Sequence, residues 1–211
     1  MLLKDKVTLI TGAATGIGRR GAQVFSEEGA VVIVADMNDQ EGKKTVEDIK
    51  EQGRDAMYVH VNLGTVDEIE RMMRTVVAAF SRIDVFWHNA GVYCEGHIEA
   101  IQEESYDKEM QIGLKAGVFG TKSVIPAMKK AGGGCVLYTS SMVGLRPTPY
   151  AEGYSLTHGL EKAGAIMLMR CLTEPLAMYN IRVNCICPGP VATEKWKRGQ
   201  VLQAEASGMD P

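Results

Sequence analysis

The stretch Thr11-Gly-Ala-Ala-Thr-Gly-Ile-Gly18 has the residue types and spacing to hold a phosphate. It follows a short apolar run, Val7-Thr-Leu-Ile10, and leads into a segment whose Ile17, Gly21, Val24 and Phe25 share one helical face. In a strand, turn and helix of this kind, Gly12, Gly16 and Gly18 let the backbone turn tightly and approach a pyrophosphate. The helix end after Thr15 offers free N–H groups and a partial positive charge. Asp36 closes the next apolar run. A carboxylate there accepts hydrogen bonds from ribose hydroxyls and repels a 2′-phosphate. Thr15, before the second glycine, and Met37, after Asp36, bring no cation for such a phosphate, so the pattern favours NAD over NADP. A helix-capping acid is the structural alternative for Asp36.

Other chemistry is weaker. Five cysteines (Cys94, Cys135, Cys171, Cys185, Cys187) fall at scattered spacings without a Cys-x-x-Cys, as expected of reduced thiols in a cytoplasmic protein. Cys94, His97 and His88 lack a fourth ligand and straddle a strand end and a loop, so no metal site is expected. The net charge of −3 leaves no footprint for nucleic acid. No apolar run is long enough for a signal peptide or a membrane span.

The elements that must position these residues alternate. Strands are predicted at Lys6–Thr11, Ala30–Ala35, Ala56–Val61, Ile83–Trp87, Cys135–Thr139 and Ile181–Ile186. Helices lie between them. One runs to Glu28 and stops at Gly29; another covers Asp39–Gln52, ended by Gly53. A third opens on the capping box Thr65-Val-Asp-Glu68 and carries the stripe Ile69, Met72, Met73, Val76, Val77 and Phe80. A long helix spans Glu103 to Lys130, in which Gly113, Gly117 and Gly120 allow close packing on a neighbour. A last helix covers Gly153 to Met178, with Pro175 expected to kink its end. This order predicts an α/β fold: a doubly wound, Rossmann-like parallel sheet in three layers. It forms a single domain over residues 1–211, with 191–211 as a tail or lid. The ligand crevice belongs beyond the C-terminal strand ends.

With these residues in view, the chain resembles the classical short-chain dehydrogenase/reductase family over nearly its whole length. Thr11-Gly-x-x-x-Gly-x-Gly18 matches the family's coenzyme motif. Asn89-Ala90-Gly91 matches the Asn-Ala-Gly beside the coenzyme, with His88 replacing a usual Asn. Ser141 and Tyr154 match the catalytic Ser and Tyr. Ile181-Arg-Val-Asn184 and the segment with Pro188, Gly189, Val191 and Thr193 match the part that grips the nicotinamide. Asn62-Leu63 stands where the family has Asp-Val against the adenine, with the Asn62 amide oxygen able to take an amino group. The resemblance implies NAD as cofactor, a small alcohol or ketone as substrate, and a homodimer or homotetramer through the long helices.

Three departures stand out. Tyr154-Ser-Leu-Thr-His158 puts His at the family's Lys position. Gly113 takes the place of an Asn in the long helix. Family members continue for several tens of residues past the Pro-Gly segment, closing the pocket and adding a strand, and this sequence ends at Pro211. A phenol titrates near about 10, so Tyr154 needs a nearby cation to act as acid/base at neutral pH. Ser141 would donate to the substrate oxygen. His158 can bond the nicotinamide ribose, but an imidazole titrates near about 6.5. The missing ammonium is expected to cost roughly 10- to 1000-fold in rate. Lys162, a turn further on, is set aside as too distant from Tyr154. Two functions remain open: an NAD-dependent oxidoreductase with an altered site, or a catalytically weak NAD-binding protein acting through association. A damaged copy without selected activity is a blander third. Tyr93, Glu95, Met142, Tyr150 and Glu152 are candidate pocket residues, and Trp196 a candidate lid.

Overall fold

In the computed structural model, residues 1–94, 98–147 and 156–194 are described. Six strands, β1 (Val7–Thr11), β2 (Val31–Asp36), β3 (Ala56–His60), β4 (Val85–His88), β5 (Gly134–Thr139) and β6 (Ile181–Ile186), form one sheet in the order β3-β2-β1-β4-β5-β6. Every pairing is parallel. The helices are α1 (Gly16–Glu27), α2 (Asp39–Glu51), α3 (Val66–Phe80), α4 (Glu103–Met110), α5 (Ala116–Lys130) and α6 (Leu156–Ala177).

Both sheet faces are covered, which is why the strands read as continuous apolar runs. Side chains alternate across each strand. Ile10, Val32 and Val34 pack with Ala22 of α1 and Val46 and Ile49 of α2. Leu9 and Ile33 look the other way, onto Ile69, Met72, Met73 and Val76 of α3 and Val124 and Met128 of α5. The methionine pair is therefore core. Thr65 caps α3 by accepting the Glu68 N–H, and Gly53 (φ 72°) follows α2 in the left-handed region.

The long helix runs from Glu103 to Lys130, as expected, with a π-helical turn, Gln111–Lys115, between α4 and α5. Gly113 lies in that turn, where low helix propensity favours a bulge that frees a carbonyl. The neighbour of Gly117 and Gly120 is β4: an added Cβ would meet His88 Cδ2 at 3.0 Å and Phe86 Cζ at 2.6 Å, respectively. Pro175 lies inside α6, two residues before its end at Ala177.

The sheet order reverses between β1 and β4. In doubly wound sheets the ligand crevice lies at such a switch point, beyond the C-terminal strand ends, where the Gly12 turn and Asn89-Ala-Gly91 follow β1 and β4.

Candidate functional site

Thr11 ends β1 level with His88 of β4. Its hydroxyl accepts the N–H groups of Asn89 and Ala90, each at 3.2 Å, and lies 3.1 Å from His88 Nδ1. The Asn89 amide donates to the carbonyls of Thr11 (3.3 Å) and Gly12 (3.1 Å) and accepts from Thr139 Oγ1 (3.1 Å). Asn89 thus ties the ends of β1 and β5 together. Gly12 has φ 65°, and a Cβ there would lie 2.8 Å from Ala90 Cα. A Cβ at Gly18 would overlap the Gly12 carbonyl and meet Asn89 Nδ2 at 2.6 Å. Only glycine fits at either position. Thr15 precedes α1 in an extended conformation without a side-chain capping bond, and the first turn, which includes Ile17, carries no acid. The positive end of α1 therefore faces the crevice. Thr193 Cγ2 would lie 3.4 Å from a Cβ on Gly16, so the tail segment and the glycine turn meet across it.

Asp36 accepts the N–H of Ala14 through Oδ2 and of Asn38 through Oδ1, both at 3.0 Å. The cap of α2 is Asn38, which accepts from Glu41 N. The carboxylate of Asp36 is thus not the helix cap, and each oxygen keeps a lone pair for a ribose hydroxyl. Arg19 is engaged elsewhere, bonding Ala14 O (2.7 Å), Thr45 Oγ1 (3.0 Å) and Glu41. Met37 is 65% exposed beside Asp36. Asn62 is exposed, and its amide oxygen, expected to meet an adenine amino group, accepts from Gly64 N–H at 3.0 Å. The Leu63 side chain lies in the core, so its contact with an adenine is limited to backbone.

At the other end, Ser141 caps a short 3-10 turn, Met142–Gly144. Met142 N–H donates to Pro188 O at 3.0 Å, which fastens the Pro188-Gly189 segment beside Ser141. Val191 O accepts from Thr193 N–H at 2.7 Å. Two basic side chains of α6 lie near this end. His158 turns to Glu109, with Nδ1 3.1 Å from Oε1, and packs edge-on against Tyr93. Lys162 is the cation at the end of β5: Nζ donates to Thr139 O at 3.1 Å and would lie 3.4 Å from a Cβ on Gly91. Ser140 Oγ donates to Lys162 O at 2.7 Å, fixing the main chain. Tyr154, Tyr150, Glu152, Glu95, His97 and Trp196 fall outside the described residues.

The charges behind this edge are buried. Glu109 is 0%, Glu161 1% and Lys162 6% exposed. Glu161 Oε2 lies 3.1 Å from Lys162 Nζ and 4.0 Å from His158 Nδ1. Among the described residues, Glu109 Oε2 and both Glu161 oxygens lack a hydrogen-bond partner. Burial pushes the Glu161 carboxyl up, against the pull of Lys162 and His158. His88 is held down to about 4, by burial first and then by the Lys162 charge. Its Nε2 lies 3.1 Å from Gly113 O. A carbonyl only accepts, so Nε2 carries the proton and Nδ1 accepts from Thr11. Glu109, His158 and Glu161 bring atoms within 4.8 Å of one another, a spacing that a metal could use. Lys162 and the His158–Glu109 contact already engage this group.

Sequence reasoning missed Glu161 and Glu109 and set Lys162 aside. A signal was available: Glu161 and Lys162 lie on the stripe of α6 that buries Thr157, Ala165 and Ile166, and charge in such a stripe marks a partnered group.

The pattern of the family described as short chain dehydrogenase matches residues 6–200. An uncharacterized oxidoreductase of Thermotoga maritima is 37% identical over 92% of this chain and 75% of its own. A cyclopentanol dehydrogenase of a Comamonas strain is 33% identical over 97% of this chain and 80% of its own. An NAD+-bound xylitol dehydrogenase structure superposes with a TM-score of 0.87 at 28% identity, covering 97% of this chain and 78% of that one. With motif order, sheet topology and crevice in agreement, this chain belongs to the short-chain dehydrogenase/reductase family of oxidoreductases.

Proposed function

We propose that the chain is an NAD-dependent oxidoreductase acting on a secondary alcohol or its ketone, with Tyr154 as acid/base. The observation that carries this reading is Lys162 Nζ, held at the end of β5 beside Gly91. It is the cation such chemistry requires, in the crevice that begins at the glycine turn. The turn fits a dinucleotide: without side chains, Gly12 and Gly18 pack directly on Ala90 and Asn89, and the first turn of α1 is left uncapped and free of acid for a pyrophosphate. Asp36 would take the adenosine ribose, and the α1 N-terminus the pyrophosphate. When bound, NAD accepts or returns the hydride.

The residues of the chain manage the proton. Ser141 donates to the substrate oxygen and orients it. Tyr154 takes the hydroxyl proton in oxidation and returns it in reduction. Lys162 lowers the cost of phenolate and bonds the nicotinamide ribose. His158, which the sequence alone assigns to that role, serves with Glu109 at the rear of the site. The similarity to a cyclopentanol dehydrogenase and to a xylitol dehydrogenase supports an alcohol substrate.

A panel of secondary alcohols with NAD, followed by nicotinamide absorbance, tests the reading. Tyr154→Phe should lower turnover roughly 10²- to 10⁴-fold while NAD affinity stays within a few-fold. A variant as fast as the wild type would remove Tyr154 from the chemistry. Gly113, which offers no side chain to a proton relay, favours a second reading: a catalytically weak NAD-binding protein acting through association. Tight NAD binding with no turnover across the panel would select it.

A further inference from the structure

We propose that Glu161 is a positioning residue that occupies the space a side chain at 113 would take and holds Lys162 Nζ on the end of β5. The inference rests on the reading of Lys162 as the cation of the hydride-transfer site. The two positions exclude each other. A Cβ on Gly113 would overlap Glu161 Cδ and Oε1 and lie 2.7 Å from Cγ. The carboxyl is there because residue 113 has no side chain. From that place Oε2 reaches Lys162 Nζ at 3.1 Å, while Thr139 O holds the same ammonium at 3.1 Å. A long, flexible side chain is thereby fixed from two sides. The main chain is fixed as well, by Ser140 Oγ on Lys162 O and by Gly144, where a Cβ would lie 2.7 Å from Lys162 C.

Among the described residues, the charged and titratable groups facing this carboxyl form one cluster. Lys162 and His158 face it from α6 and Glu109 from α4, while His88, neutral, stands behind Lys162 on β4. Two buried carboxylates oppose one ammonium and one imidazole. Such an arrangement is weak evidence for stability, because desolvation offsets the attraction. Its effect falls on where the ammonium points. The Glu161 carboxyl thus stands where a side chain at 113 would.

The test is a double-mutant cycle with two readouts. In thermal unfolding, Gly113→Asn should lower the midpoint clearly in the wild-type background and little in Glu161→Ala, where the space is free. Gly113→Ala and Glu161→Gln supply milder variants if either of the first fails to fold. In calorimetric NAD titrations, Glu161→Gln keeps the shape and loses the ion pair with Lys162, and should weaken binding about tenfold. Wild-type affinity should tighten as pH rises and Glu161 ionises, and that slope should flatten in Glu161→Gln. Additive shifts in midpoint, or NAD affinity and pH slope unchanged in Glu161→Gln, would overturn the proposal. A wild type that binds no NAD would overturn the dehydrogenase reading as well, whereas NAD binding with an additive cycle would overturn only the role of Glu161.

Discussion

His88 is 3% exposed, between the Thr11 hydroxyl and the Gly113 carbonyl. Its imidazole is held at about 4, against an ordinary 6.5, by burial and by Lys162. The unfolded chain therefore binds a proton on this residue below about 6.5, while the folded chain refuses it until about 4. The contribution of His88 is fully present above the unfolded value and is lost as pH falls through the window. One such group gives a slope of about 1.4 kcal/mol per pH unit. Glu161, whose folded value is raised, acts in the opposite sense. Comparing His88→Asn with the wild type isolates the histidine. Urea unfolding between pH 6.5 and 4 should show a shallower loss of stability in the variant; equal slopes would mean that His88 is protonated in the fold. The same residue shows what the sequence hides. Its place in the Asn-Ala-Gly motif is legible, but its partner is a carbonyl freed by a π-helical turn.

The glycine turn and the π-helical turn are the two elements that set the site. The first was readable because its constraint is local: Gly12 and Gly18 follow a strand and open a helix, and steric exclusion permits nothing else. Gly18→Ala should cost about 1–3 kcal/mol, as an overpacked core position does, since its Cβ meets backbone that cannot yield. Chemical denaturation measures this, and a loss within 0.5 kcal/mol, the range of ordinary surface changes, would show that the turn can open. The second was not readable, because α4, the turn and α5 form one helical pattern in sequence. Only packing on β4 and α6 reveals why Gly113 interrupts it. Likewise, spacing from Tyr154 directed attention to His158, while the path of α6 past Gly144 and Ser140 delivers Lys162 to the strand end.

At the scale of the molecule, the alternation of strands and helices predicts the parallel sheet, and the strand order puts the crevice where β1 and β4 diverge. No helix among the described residues is long and apolar enough to cross a membrane. Substrate choice was not legible, because the residues that would shape a pocket, such as Tyr93 and Met142, are of kinds that pack as readily as they bind. In the proposed function, the crevice holds NAD with Asp36 on the ribose and Lys162 at the nicotinamide end. Calorimetric titration with NAD and with NADP tests it most directly. The predicted result is one NAD per chain, bound at least about tenfold more tightly than NADP, with that preference narrowed in Asp36→Asn. No heat with NAD, or tighter binding of NADP, would contradict it.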